Sequence, residues 1–401
     1  MKVTFFSPCW PPERCANGIV PYVSRVRDGL RGLGVESRVL ASSVVGDAHD
    51  PEIVDLDRYG SGALVDRLYH RLHPRDFNTH WVAREILRGL KRLRRNFKPD
   101  LLEMEESFGA CQKVAKRAGI PIVTRLHGPW YLNGAALGVP EDDAFHRRVT
   151  LEGLAIAKSA AVTSPSQDLL DRVRAKYSIE LPRAAVIPNP APLVPPDRRW
   201  SLETCDPNLV LFVGRFDRHK GGDLVIDAFA HVAATRPDLQ LAFVGPDRGL
   251  DDGRGTSTGI REYIEARVSE PSVRSRIRVL GQLPYEEIEE LRRKARVTLV
   301  ASRFEVFGMV VVEALAFGCP VVASRTGGIA EIVFHERNGL LFEPGDPADL
   351  ARSLELMLAR PGLAASLGAQ GAVDAGVRFG PDVVATQTKR YYETLLERAR
   401  R

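Results

Sequence analysis

Short apolar runs alternate with longer amphipathic stretches along almost the whole of this chain, and no other feature constrains its fold as tightly. In the first half the runs are Val3–Phe6, Ser37–Ala41, Leu101–Met104, Ile120–Leu126, Ala160–Thr163 and Ala184–Ile187. In the second half they are Leu209–Val213, Leu239–Val244, Ile277–Leu280, Val297–Ala301, Pro320–Ser324 and Leu340–Phe342. Several are apolar throughout, the pattern of parallel strands covered on both faces. Between them, segments such as Gly222–Ala233 and Glu286–Arg296 carry helical periodicity. Alternation of this kind predicts an α/β fold of doubly wound, Rossmann-like sheets.

The pattern is interrupted once. Between Pro188 and Pro207 the chain holds six prolines. Each lacks an amide hydrogen and fixes φ, which excludes a helix or a central strand there. A length of 401 residues, at about 150 per domain, predicts two domains. The expected boundaries are 1–190, a linker at 191–207, and 208–380, followed by a helical tail at 381–401. Ligands of open α/β sheets bind at the carboxyl ends of the strands. The informative residues are therefore expected just after the apolar runs, around a central cleft faced by both domains.

Composition narrows the setting more than the chemistry. The net charge of +5 favours acidic partners, whether phosphates, nucleic acid or anionic lipid, without choosing among them. The cysteines, Cys9, Cys15, Cys111, Cys205 and Cys319, are odd in number and scattered, with no C-x-x-C. That pattern argues against a disulfide framework and a zinc–thiolate site. Val3–Phe6 is too short for the apolar core of a signal peptide. No uncharged apolar stretch approaches the roughly 18 residues of a membrane span. A cytoplasmic setting is expected.

Four strand-end segments can carry chemistry. The most informative is Ser302-Arg303-Phe304-Glu305-Val306-Phe307-Gly308-Met309-Val310-Val311-Val312-Glu313-Ala314, between an apolar run and a helix expected to start near Gly308. First-turn amides of a helix lack intrahelical partners and carry partial positive charge, so those of Phe307, Gly308 and Met309 can bind phosphate or sugar hydroxyls. Glu305 and Glu313 can each accept paired hydrogen bonds from vicinal hydroxyls. Taken singly, they read equally as a surface acid and a helix-dipole acid. In Val213-Gly214-Arg215-Phe216-Asp217-Arg218-His219-Lys220-Gly221-Gly222, Arg215 offers a bidentate fork and Lys220 a point charge for phosphate oxygens. A solvated basic loop is the plain alternative. Gly18, after the first run and before a helix, permits backbone approach to a diphosphate, or simply starts the helix. His127, in Arg125-Leu126-His127-Gly128, can hydrogen-bond a substrate hydroxyl or serve no purpose beyond the loop.

Taken together and in this order, these motifs resemble the family-4 retaining glycosyltransferases of GT-B fold. The matched elements are Gly18, His127, Gly214-Arg215…Lys220-Gly221, Glu305…Phe307-Gly308…Glu313-Ala314…Gly318-Cys319-Pro320 and Thr326-Gly327-Gly328…Glu331. The resemblance implies transfer of a hexose-type sugar, with retention, from a nucleotide diphosphate donor to a hydroxyl acceptor. UDP is the base it favours, and no metal or other cofactor is expected. Arg215 and Lys220 would neutralise the diphosphate as the glycosidic bond breaks, and Gly18 would approach it from the first domain. Glu313 would accept the ribose hydroxyls. Glu305 and the amides of Phe307, Gly308 and Met309 would hold the sugar, which His127 would face. Asn17 stands where a second glycine often precedes Gly18; asparagine tolerates positive φ. The tail 381–401 would return to the first domain. Competing readings are a GT-B epimerase or phosphorylase, or a non-catalytic GT-B subunit. A phosphorylase would need a cofactor lysine that no position here identifies.

Other signals lead elsewhere. Asp55-Leu56-Asp57 is formally a D-x-D motif but has no strong strand or phosphate loop attached. His70, His73 and His80 lie in a basic context that suits a solvated helix better than a metal. Gly29-Leu30-Arg31-Gly32-Leu33-Gly34 reverses the dinucleotide fingerprint and argues against an NAD enzyme. The basic amphipathic stretch Arg84–Lys98 can rest on anionic lipid, which would put the protein at the inner face of a membrane. The favoured reading is that its apolar stripe covers the strand at Leu101–Met104, with the charged face in water. With a diphosphate as the target of the site cations, nucleic acid is not an expected partner.

Overall fold

The computed structural model describes residues 1–15, 17–46, 50–59, 63–72, 76–251 and 257–400. The chain divides into two compact units. One comprises Met1–Ala135, Val139–Pro190 and Pro381–Arg401, and the other Ala136–Gly138 and Ala191–Gly380.

The first unit is built on a parallel sheet of β1 (Lys2–Ser7), β2 (Glu36–Ala41), β3 (Ile53–Asp55), β4 (Leu101–Glu105), β5 (Ile122–Arg125), β6 (Ala161–Ser164) and β7 (Ala184–Val186), in the order β3-β2-β1-β4-β5-β6-β7. Strand periodicity sends successive side chains to opposite faces. Phe5 accordingly joins Val23, Val26 and Leu30 of the helix Ile19–Gly32 on one face. Phe6 joins Ile86 and Leu90 of the helix Phe77–Leu93 on the other, with Leu102 and Met104. The apolar stripe of the basic segment therefore covers β4, as expected, although the helix ends at Leu93 rather than Lys98.

The second unit contains β8 (Asp206–Val213), β9 (Gln240–Val244), a separate hairpin of β10 (Leu250–Asp251) and β11 (Ser257–Thr258), β12 (Ile277–Gly281), β13 (Ala295–Val300), β14 (Val321–Ser324) and β15 (Leu340–Phe342). Its main sheet is parallel, in the order β12-β9-β8-β13-β14-β15. The order reverses between β8 and β13 here, and between β1 and β4 in the first unit. At such switch points neighbouring loops leave the sheet on opposite sides and open a crevice. The expected doubly wound architecture is present twice.

The structure adds elements the sequence did not mark and changes the reading of one segment. β3 and the β10–β11 hairpin are too short and polar to stand out by periodicity. The 191–207 stretch is not a free connector but part of the second unit. The Ala191 amide donates to the Phe379 carbonyl, buried Trp200 donates from Nε1 to the Ala295 carbonyl at 2.8 Å, and β8 already begins at Asp206. The reversed glycine motif also has a packing explanation. A Cβ on Gly29 would lie 2.8 Å from Cβ of Ala385, so the helices Ile19–Gly32 and Pro381–Arg400 meet where one has no side chain.

Candidate active site

In the second unit, the sheet's switch point brings together the loops that follow β8 and β13. Gly221 has φ +68°, and a Cβ there would stand 2.0 Å from the Ala301 carbonyl oxygen. The glycine therefore serves the contact between the two loops. Further bonds join the loops. His219 Nε2 lies 2.7 Å from the Phe304 carbonyl, and the Arg303 amide donates to the His219 carbonyl. Burial and the Lys220 ammonium lower the His219 pKa, so the neutral imidazole donates from Nε2 at pH 7.

Lys220 and Glu305 meet across this junction, with Nζ 2.6 Å from Oε2. Ser302 Oγ donates to the same carboxylate oxygen at 3.1 Å. Burial pushes the Glu305 carboxyl upward, but the charge of Lys220 and the hydrogen bonds from Lys220 and Ser302 outweigh it and hold its pKa below the usual value. Arg215 donates from Nε to Asp217 Oδ2 at 2.6 Å, which leaves the Nη end of the guanidinium outside that bond. Oδ1 of the same aspartate accepts the Lys220 amide at 2.7 Å. Asp217 thus orients both cation-bearing residues, and sequence reasoning passed over it. Its signal was available, since a short acid two and three residues from the groups it binds is a common turn device.

Phe307, Gly308 and Met309 lead into the helix Met309–Ala316. Gly308 has φ +107°, and buried Phe307 packs edge-on to Phe379 with ring centroids 5.8 Å apart. The Gly328 amide donates to the Glu305 carbonyl, so the Thr326–Gly328 turn braces the loop from behind. Glu313, in the second turn of that helix, accepts from Arg292 Nη2 at 2.8 Å. Arg292 is 1% exposed, a second residue the sequence reading missed. It lies on the helix Tyr285–Lys294, where a cation among other charged residues carries no local signal of burial.

The first unit holds the remaining predicted residues. Gly18 precedes the helix Ile19–Gly32 in ordinary right-handed geometry, and a Cβ there would meet nothing within 4 Å. Neither strain nor crowding within this unit requires a glycine, which leaves open space against the backbone. Asn17 Oδ1 accepts the Ile19 amide at 2.9 Å. His127 follows β5 and contacts Tyr22 edge-on at 5.1 Å, which links it to the Gly18 helix. Burial and the nearby Arg125 charge hold its pKa well below the usual value, so it is neutral at pH 7. Its amide is chelated by both oxygens of Glu106 at 3.1 Å. Glu106 is 1% exposed; burial, reinforced by Glu152, raises its pKa to about 8. Glu152 in turn accepts the amides of Phe108 and Trp130 and the Nε of Arg148.

The segments set aside have structural partners. Asp55 pairs with Arg58 at 3.1 Å, and Leu56 between the two aspartates is buried. His80 Nε2 lies 2.9 Å from Lys113 Nζ, His70 packs on Phe77, and His73 lies outside the described residues. Among the described residues, no group of three His, Cys, Asp or Glu side chains is arranged to hold a metal ion. No described helix is long and apolar enough to cross a membrane.

Comparison with known proteins places this architecture. Residues 16–193 match the model of Glycosyltransferase Family 4, and residues 196–373 match Glycosyl transferases group 1. A D-inositol 3-phosphate glycosyltransferase of Xylanimonas cellulosilytica is 32% identical over 301 residues, 71% of this chain and 69% of that protein. D-inositol 3-phosphate glycosyltransferase 2 of Catenulispora acidiphila is 27% identical over 95% of this chain and 91% of its own. Among solved structures, sucrose-phosphate synthase from Thermosynechococcus elongatus matches with a TM-score of 0.74 at 21% identity, covering 99% of this chain and 100% of that one. Anabaena HepE in complex with UDP and glucose matches with a TM-score of 0.68 at 18% identity, covering 98% and 100%. Kinship in sequence and likeness in fold agree, and the chain belongs to the family-4 glycosyltransferases of GT-B fold.

Proposed function

We propose that this glycosyltransferase moves a hexose from a UDP-sugar to a hydroxyl acceptor with retention of configuration. The observation that carries the reading is the Lys220–Glu305 contact, which joins a phosphate-seeking cation to a hydroxyl-binding carboxylate at the switch point of one sheet. The Arg215 Nη end and Lys220 bind the diphosphate and stabilise the charge that grows on it as the bond to the anomeric carbon breaks. Glu305 and the amides of Phe307, Gly308 and Met309 bind the sugar hydroxyls, and Glu313, oriented by Arg292, takes the ribose. Gly18 gives the diphosphate access to backbone, and neutral His127 donates to the sugar from the first unit.

Retention through a double displacement needs a free carboxylate nucleophile. Glu305 is bridged to Lys220 and Ser302 and is better suited to binding. The reading is therefore a front-face displacement. The anomeric carbon–phosphate oxygen bond breaks, the acceptor oxygen bonds to the same face, and the leaving phosphate oxygen takes the acceptor proton. Two side-chain cations at the diphosphate supply charge without a metal, so turnover is expected to persist in EDTA; loss restored by Mg²⁺ would count against this. The scattered cysteines support a cytoplasmic site of action.

A panel of sugar nucleotides, assayed for binding and slow hydrolysis, tests the donor. Phosphorylated polyols are the first acceptors to try, because the relatives named above are inositol 3-phosphate glycosyltransferases. UDP release with a product of the donor's anomeric configuration is expected. An inverted product sinks the mechanism, and no nucleotide release from well-folded protein sinks the enzyme reading.

A further inference from the structure

In the second unit, Ile288 and Leu291 of the helix Tyr285–Lys294 pack against a core that includes Leu209, Leu211 and Ala295. Arg292 goes inward with them and is 1% exposed, while its neighbour Arg293 stays partly exposed and pairs with Glu290. Burying a guanidinium costs stability unless its donors find acceptors. Arg125, buried to the same degree in the first unit, largely meets that demand. Its Nη1 donates to the Ile187 carbonyl and its Nη2 to Asn189, and the cation lies over the Tyr22 ring. Arg292 does not. Nη2 donates to Glu313 Oε2 at 2.8 Å, and Nε and Nη1 have no hydrogen-bond partner among the described residues.

A methionine in that place would fill the space without orphaned donors, so packing does not call for an arginine. What the arginine supplies is its bond to Glu313, whose side chain is 14% exposed and so within reach of a ligand. A glutamate side chain is rich in rotamers, and ordering it before a ligand arrives removes a cost that binding would otherwise carry. A carboxylate held in one orientation also discriminates a vicinal diol from a single hydroxyl, because the missing hydroxyl leaves an acceptor without its donor.

We propose that Arg292 is a positioning residue that makes the donor site selective for a ribonucleotide, by holding Glu313 in the orientation that accepts both ribose hydroxyls. This role rests on Glu313 taking the ribose, as proposed for the reaction. UDP and 2′-deoxy-UDP are titrated calorimetrically into the full-length protein and its variants, and the thermal midpoint of each is measured without ligand. The parent is expected to bind UDP at least about tenfold more tightly than 2′-deoxy-UDP, as a hydrogen bond to a charged group allows. In R292M that preference is expected to fall to within about threefold through weaker UDP binding, with the thermal midpoint not lowered. R292K, which keeps a cationic donor, is expected to retain a preference of at least about fivefold. R292M/E313A should lose no more than E313A, because residues acting through one contact are not additive.

A parent-like preference in R292M overturns the proposal. So does an equal loss of both nucleotides with a lowered midpoint, which would make Arg292 structural. Equal losses in R292K and R292M do so too, because packing rather than the bond to Glu313 would then set the preference. A parent-like preference in E313A, or none in the parent, removes the ribose role of Glu313 and the role of Arg292 with it. Loss in E313A with retention in R292M leaves Glu313 its role and removes only that of Arg292.

Discussion

Lys220 and Glu305 lie 85 residues apart in sequence and 2.6 Å apart in space, and most of the proposed chemistry rests on that pair. Lys220→Ala is expected to lower turnover by roughly 10²–10³, the cost of removing a preorganised donor from developing charge. Lys98→Ala, on an exposed residue, should leave turnover unchanged; equal losses would contradict the assignment. Glu106 supports a prediction about pH. Its carboxyl titrates near 4.5 when unfolded and at about 8 when folded, because burial and then Glu152 disfavour its charge. The folded state holds a proton that the unfolded state lacks between these values. Stability from this group is therefore full below pH ~4.5 and is lost as pH rises through ~8. Urea midpoints at about pH 5.5 and 8.5 should differ less in Glu106→Gln, by roughly 2–3 kcal/mol. An unchanged difference would show that Glu106 is already ionised. Arg215, Lys220, Glu305 and Glu313 were legible one by one as residue types suited to phosphate and hydroxyls. Asp217, Arg292 and Glu106 were not, since each acts through a neighbour that only folding supplies.

At the scale of elements, each site residue sits on a loop whose position comes from a parallel strand. The strands were readable because burial on both faces demands continuous apolar runs. The junction of the β8 and β13 loops was not, and Gly221 shows why. Its need for positive φ is local, but the obstacle to any side chain is the Ala301 carbonyl from another strand. Gly221→Ala is expected to cost about 2 kcal/mol or more, from strain plus the displaced carbonyl, and to weaken UDP-sugar binding with the loops forced apart. Thermal denaturation and a donor titration together check this. A variant as stable as the parent would mean that the loops separate at little cost. The same limit applied to 191–207. Its prolines excluded regular structure, yet Trp200 and its hydrogen bond make it part of the second unit.

At the scale of the whole molecule, the last helix completes a core that begins at residue 3. Val384, Ala385 and Tyr392 are fully buried among Val3, Phe5, Val26 and Leu30. Tyr392 and Tyr22 donate to the two oxygens of buried Glu103 at 2.7 and 2.8 Å. Removing residues 381–401 should therefore unfold the first unit rather than trim it, read as loss of soluble protein or of its cooperative transition. Tyr392→Phe isolates the polar contribution and is expected to cost about 1–3 kcal/mol by leaving one carboxyl oxygen without its phenol. A neutral result would show that water replaces the hydroxyl.

The sequence by itself determined the two α/β halves, their strands and the residue types at the strand ends, because hydrophobic periodicity and helix-terminus chemistry act over a few residues. Tertiary structure alone decided which loops meet and which carboxylate neutralises which cation. Those outcomes depend on strand order and on close contacts between residues tens to hundreds of positions apart. No local pattern encodes such contacts.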